Sequence, residues 1–127
     1  MDLSAIVAET RDFEVLHPKS GDPIGLTLKL RPYTAPEIKA VERRWQTQAL
    51  RGRKFSADQI EARGTDILVA YVSGWAWGKD ADGEPCTFKG EVPEFNEASL
   101  RRVLKELPWL KKQLDVEAGS ESDFFKG

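Results

Sequence analysis

The stretch from Gly78 to Asn96 constrains this chain more than any other. It reads Gly-Lys-Asp-Ala-Asp-Gly-Glu-Pro-Cys-Thr-Phe-Lys-Gly-Glu-Val-Pro-Glu-Phe-Asn. That density of Gly, Pro and Asp cannot sustain a regular element, so it predicts a long ordered loop carrying a small hairpin at Asp82-Gly83. Regular structure must then lie on either side of it. On the N-terminal side, Phe13 and Val15 alternate with charged neighbours, and Leu26, Leu28 and Leu30 alternate with Thr27 and Lys29. Both patterns predict half-buried strands. Turn-forming residues fill the interval from His17 to Gly25, which predicts an antiparallel hairpin over 12–31. A lone hairpin is marginal and needs a helix over its apolar face.

Thr34 is the expected N-cap of that helix, over 35–51, with Pro36 in the first turn and Glu37 near the positive helix end. Ile38, Val41, Trp45 and Ala49 fall on its inner face. Ser56 with Gln59 forms the capping-box pattern for a second helix over 57–77, where Gly64 marks a point of weakness. Its apolar set Ile60, Ile67, Leu68, Tyr71, Val72 and Trp75 is the densest in the chain and is expected at the centre of the core. After the loop, Asn96 caps a helix over 97–107 that turns Leu100, Val103, Leu104 and Leu107 inward. Pro108 must break it, which leaves a short last helix over 108–116 with Trp109, Leu110, Leu114 and Val116. Residues 117–127 are expected to form a flexible polar tail. The predicted fold is therefore mainly α: one globular domain over 1–116, with an N-terminal β-hairpin packed on a bundle of about four helices and the long loop placed before the last two.

With 40% apolar residues, four Trp and six Phe, 127 residues can fill one core. Nineteen basic residues against twenty-one acidic ones leave a formal charge of -2, which argues against nucleic acid or an anionic membrane as partner. Cys86 is the one cysteine and excludes an intramolecular disulfide framework. The opening Met-Asp-Leu-Ser has neither the basic nor the apolar region of a secretory signal, so a cytoplasmic setting is expected. The longest apolar stretch, Ile67 to Trp77, is interrupted by Ser73 and Gly74 and is too short to cross a bilayer.

No pattern of catalytic or ligating residues emerges. His17 is the sole histidine, so no histidine-based zinc set or relay can assemble. Asp80, Asp82 and Gly83 resemble the opening of a calcium loop, but Pro85 occupies the sixth position and Glu91 the twelfth, so a tight turn is expected. Asp82 and Glu84 should raise the Cys86 thiol pKa and keep it unreactive. The glycines match no phosphate-cradling motif. The chain is therefore expected to have no cofactor, no metal and no enzymatic activity. Arg43, Arg44, Arg51, Arg53 and Lys54, with Trp45 among them, form the one segment that could touch nucleic acid, as a small regulator would. The aromatic residues Trp75, Trp77, Phe88, Phe95 and Trp109 crowd the other half. A partly exposed aromatic patch would mark a protein-binding surface.

The stretch Ser73-Gly-Trp-Ala-Trp-Gly-Lys-Asp-Ala-Asp-Gly-Glu-Pro-Cys-Thr-Phe, then Phe95-Asn-Glu, Leu100 and Leu107-Pro-Trp-Leu-Lys-Lys-Gln-Leu resembles the tail assembly chaperones of long-tailed, siphovirus-type bacteriophages. The likeness covers residues 65 to 116. It implies a phage or prophage protein of the host cytoplasm, absent from the mature virion, that binds the tape-measure protein, keeps it soluble and recruits tail tube subunits during tail assembly. Homo-oligomer formation is compatible with that role. Trp77, Phe88, Phe95, Trp109 and Leu110 are the expected partner-binding residues. A structural protein of the head-tail junction is the alternative within the same setting.

Overall fold

The computed structural model describes the backbone of residues 10–52 and 54–126, and side chains through Ser120. Strands β1 (Arg11–Leu16) and β2 (Pro23–Leu30) form the N-terminal hairpin, followed by helices α1 (Pro36–Leu50) and α2 (Ala57–Tyr71). Strand β3 (Val72–Trp77) comes directly after α2, and α3 (Glu97–Glu106) and α4 (Pro108–Lys126) complete the seven elements of the described residues. The three strands make one antiparallel sheet in the order β1-β2-β3. The fold is accordingly mixed α/β, and the mainly α expectation is corrected.

The difference lies in residues 72–77, which the sequence pattern places at the end of a helix over 57–77 and which form a strand. Apolar residues there are as dense as in the helix before them, so periodicity alone could not separate the two. Composition does favour a strand, since Val and Trp have high β-propensity and Gly74 is a poor helix former. What ends α2 is remote in sequence. The Arg31 guanidinium donates to the carbonyls of Ala70 and Val72 at 2.8 and 3.2 Å, and the Arg31 amide donates to Tyr71 O at 2.7 Å. Carbonyls left over at a helix end are thus satisfied by the residue that follows β2, without the Gly or Pro that usually marks a stop.

Pairing sorts the sheet residues onto two faces. Phe13, Leu28 and Trp75 stand in register, as do Arg11, Leu30 and Val72, while Asp12, Lys29 and Gly74 share a row pointing the other way. The first face is buried under the helices; the second carries polar and small residues toward solvent. A single apolar cluster draws on all seven elements, from Val15 and Leu26 through Ile38, Leu68 and Tyr71 to Leu100, Leu110 and Leu114.

Several local expectations shift. Helix α1 has Ala35, not Thr34, at its N-cap and no side-chain cap; Pro36 and Glu37 open it. Gly64 does not interrupt α2, and Ile60, placed in the core by its spacing, is 62% exposed. The capping box of Ser56 with Gln59 and the Asn96 cap on Ser99 N both form. The last helix does not stop at Val116 but runs to Lys126, with Ala118 buried, so residues 117–126, expected as a polar tail, continue the helix. Gly127 lies outside the described residues.

Helix α4 is fastened along β1. The Gln113 amide accepts from Leu16 N at 3.1 Å and donates to Leu16 O at 2.8 Å, pairing with the strand edge as a neighbouring strand would. Farther along, Arg11 donates to both the Glu117 carboxylate and the Tyr71 hydroxyl.

Candidate functional site: an apolar groove beside the hairpin

Packing of α4 against the hairpin leaves a groove between the two. Phe13, Leu16 and Pro18 line one side, and Trp109 and Val116 line the other. Phe13 and Trp109 are half-buried against the core, whereas Leu16 is 39% and Val116 66% exposed. Trp109, Lys112, Gln113 and Val116 recur at helical spacing, so one face of α4 supplies one wall. The hairpin tip supplies the other, and His17 shapes it. His17 Nδ1 accepts from the amides of Lys19 and Ser20 at 3.1 and 3.2 Å, and His17 N donates to Asp22 O at 2.8 Å, closing the turn.

The five residues expected to bind a partner do not share one surface. Trp77 and Phe95 gather on Trp75, whose ring centroid lies 5.5 Å from Trp77 and 5.2 Å from Phe95, both edge-on. The Trp75 indole donates to Pro93 O at 3.1 Å, so this cluster folds the long loop back onto the sheet. Phe88 sits beneath Lys89 and Arg102, with cations 5.7 and 5.5 Å from the ring centroid, and both cations reach Glu106. Those contacts, above all the Lys89 hydrogen bond, hold the Glu106 carboxyl below its ordinary pKa. Leu110, the last of the five, is 1% exposed and belongs to the core. Trp109 alone of the five lines the groove. Phe13, Leu16 and Val116 were not singled out as binding residues, because a strand residue, a strand end and a helix residue meet there only through the fold.

Two other candidate segments resolve into structure. Asp80 Oδ1 accepts from the amides of Asp82 and Glu84, each at 2.9 Å, within a turn closed by a Lys79–Pro85 bridge. The carboxylate thereby organises its own backbone, as in an Asx turn. A second turn at Phe88–Glu91 places Lys89 at φ 53° and Gly90 at φ 82°, the signature of a type I′ hairpin. Cys86 is half-buried, and its thiol pKa is raised by burial first and by Asp80 second, not by Asp82 and Glu84.

In the basic segment, Trp45 is buried with Phe55 edge-on at 5.4 Å, and its indole donates to Asp66 at 3.1 Å. It cannot stack on a base. Arg44 pairs with the same carboxylate at 3.2 Å and Arg101 does so at 2.7 Å, so Asp66 joins α1, α2 and α3. Arg53 lies outside the described residues.

Among the described residues, no group of His, Cys, Asp and Glu is arranged to hold a metal ion, and no helix is long and apolar enough to cross a membrane. Comparison with protein-family models, curated proteins and solved structures finds no match to this chain.

Proposed function

We propose that this chain is an assembly chaperone of a long-tailed bacteriophage, which binds the helical tape-measure protein in the host cytoplasm and recruits tail tube subunits to it. The observation that carries the reading is the groove of Phe13, Leu16, Trp109 and Val116. An amphipathic helix needs an apolar trough of this kind to shield its stripe from water. The rest of the surface is rich in charge, with 31% of residues ionisable as acid or base, as a protein that keeps a hydrophobic client in solution requires. The sequence likeness over residues 65 to 116 supplies the identity of the client. On this reading the chain acts by binding rather than by catalysis and is left out of the finished particle.

The test is co-expression with the tape-measure protein encoded downstream. The client should remain soluble and co-purify with the wild-type chain. Val116→Asp places a carboxylate in the groove at an exposed position; it should leave the thermal midpoint unchanged and return the client to the insoluble fraction. A client that precipitates with the wild-type chain, or one that stays soluble with the variant, rejects the groove as its site.

A further inference from the structure

We propose that the groove selects an amphipathic helix whose apolar stripe is bordered by acidic residues. The inference rests on the groove being the partner site, and it adds the chemistry by which that partner is recognised. Two side chains at the groove offer polar atoms to an incoming ligand, and both are donors. Lys112 on α4 is exposed and forms no ion pair among the described residues. His17 accepts two backbone N–H bonds at Nδ1, which places its ring N–H at Nε2.

Among the described residues, no acidic side chain lines the groove, and Asp115, on the same helix as Lys112, interacts with Lys111. Glu117 holds Arg11, and the Gln113 amide is taken up by Leu16 at both its oxygen and its nitrogen. Asp12 and Glu14 pair with Lys29 and Thr27 on the solvent face of the sheet, opposite the helices. A ligand that covers the groove with apolar atoms alone would leave the Lys112 ammonium at the rim without a partner, whereas a carboxylate beside its stripe would complement it. Trp109 to Val116 spans about 10 Å of helix, so the complementary segment is two turns of a partner helix, with Glu or Asp next to apolar residues spaced three and four apart.

Two synthetic helical peptides sharing one Leu/Phe stripe, flanked by Glu in one and by Lys in the other, distinguish the possibilities when titrated onto the full chain by fluorescence anisotropy. The Glu-flanked peptide should bind about fivefold tighter at low salt, and the advantage should shrink as salt rises. Lys112→Glu, a substitution at an exposed position, should reverse the order of the two. Equal affinity for both peptides, or a Glu preference that survives Lys112→Glu, overturns the inference while leaving the groove as an apolar binding site. Binding of neither peptide overturns the inference and the groove reading together, and unchanged binding of both to Val116→Asp places the site elsewhere.

Discussion

A methyl group on Gly25 has no room. The residue sits at φ 95°, and a Cβ there would lie 2.7 Å from the Lys79 carbonyl carbon, part of the backbone. This close approach is where β2 meets the end of β3, with Gly78 N donating to Gly25 O at 2.7 Å. Gly25→Ala should therefore combine backbone strain with a clash that no side-chain rotation relieves, and destabilise by at least about 2 kcal/mol. Gly83 offers the control, since φ is 81° but nothing lies within 4 Å of its would-be Cβ. Gly83→Ala should cost about 1 kcal/mol, from strain alone. Thermal unfolding of the two variants measures the difference, and equal losses would remove the close approach as the cause. Cys86 allows a second test at this scale. Burial and the Asp80 carboxylate both favour the protonated thiol, so at pH 8 the folded chain holds less thiolate than the denatured chain. Iodoacetamide should alkylate Cys86 more slowly in the folded protein at that pH, and equal rates would contradict the assigned environment. The direction of that shift was legible in the sequence from neighbouring acids. Its main cause, burial, was not, because it depends on the loop packing back onto the core.

Among the elements, the boundary between α2 and β3 shows best where sequence patterns run out. Ser56 with Gln59, Asn96 and Pro108 announce their helix ends locally, and those ends stand where the pattern places them. Tyr71 and Val72 announce nothing, because the group that terminates α2 is Arg31, thirty-nine residues from Ala70 by sequence separation. Arg31→Met keeps the apolar stem and removes the guanidinium. The orphaned carbonyls at a partly buried helix end should cost about 1–3 kcal/mol. The loss should also be local, so β3 amides should exchange with deuterium faster than those of β1. Uniform acceleration across the sheet would mean that Arg31 contributes only to global stability. The groove follows the same rule. Trp109 is an evident aromatic on a short amphipathic stretch, but its neighbours Phe13 and Leu16 come from the far end of the chain and meet it through the Gln113 clamp on Leu16.

Across the described residues, the apolar cluster draws on every one of the seven elements, so no element can be withdrawn without exposing another. The C-terminal half of α4 tests that statement most directly, because its composition suggests a solvated tail: Glu117, Gly119, Ser120 and Glu121 are poor material for a core. The structure nonetheless ties it down at two points, the Arg11–Glu117 ion pair and the buried Ala118. Arg11 also reaches the hydroxyl of Tyr71, the fully buried last residue of α2, so Glu117 helps to orient a link from β1 to the centre of the core. A chain ending at Val116 loses the ion pair, the buried methyl group and the helical turns that carry them. The pair is partly exposed and contributes little by itself; with the lost burial, the truncation should destabilise by about 1–3 kcal/mol. For a domain of this size that lowers the thermal midpoint by roughly 3–10 °C. The transition should remain a single cooperative one, since the cluster that unites the elements is otherwise intact. An unchanged midpoint would mean that residues beyond Val116 are helical without being part of the packed domain. The groove would then end where the sequence pattern ends, at the exposed side chain of Val116.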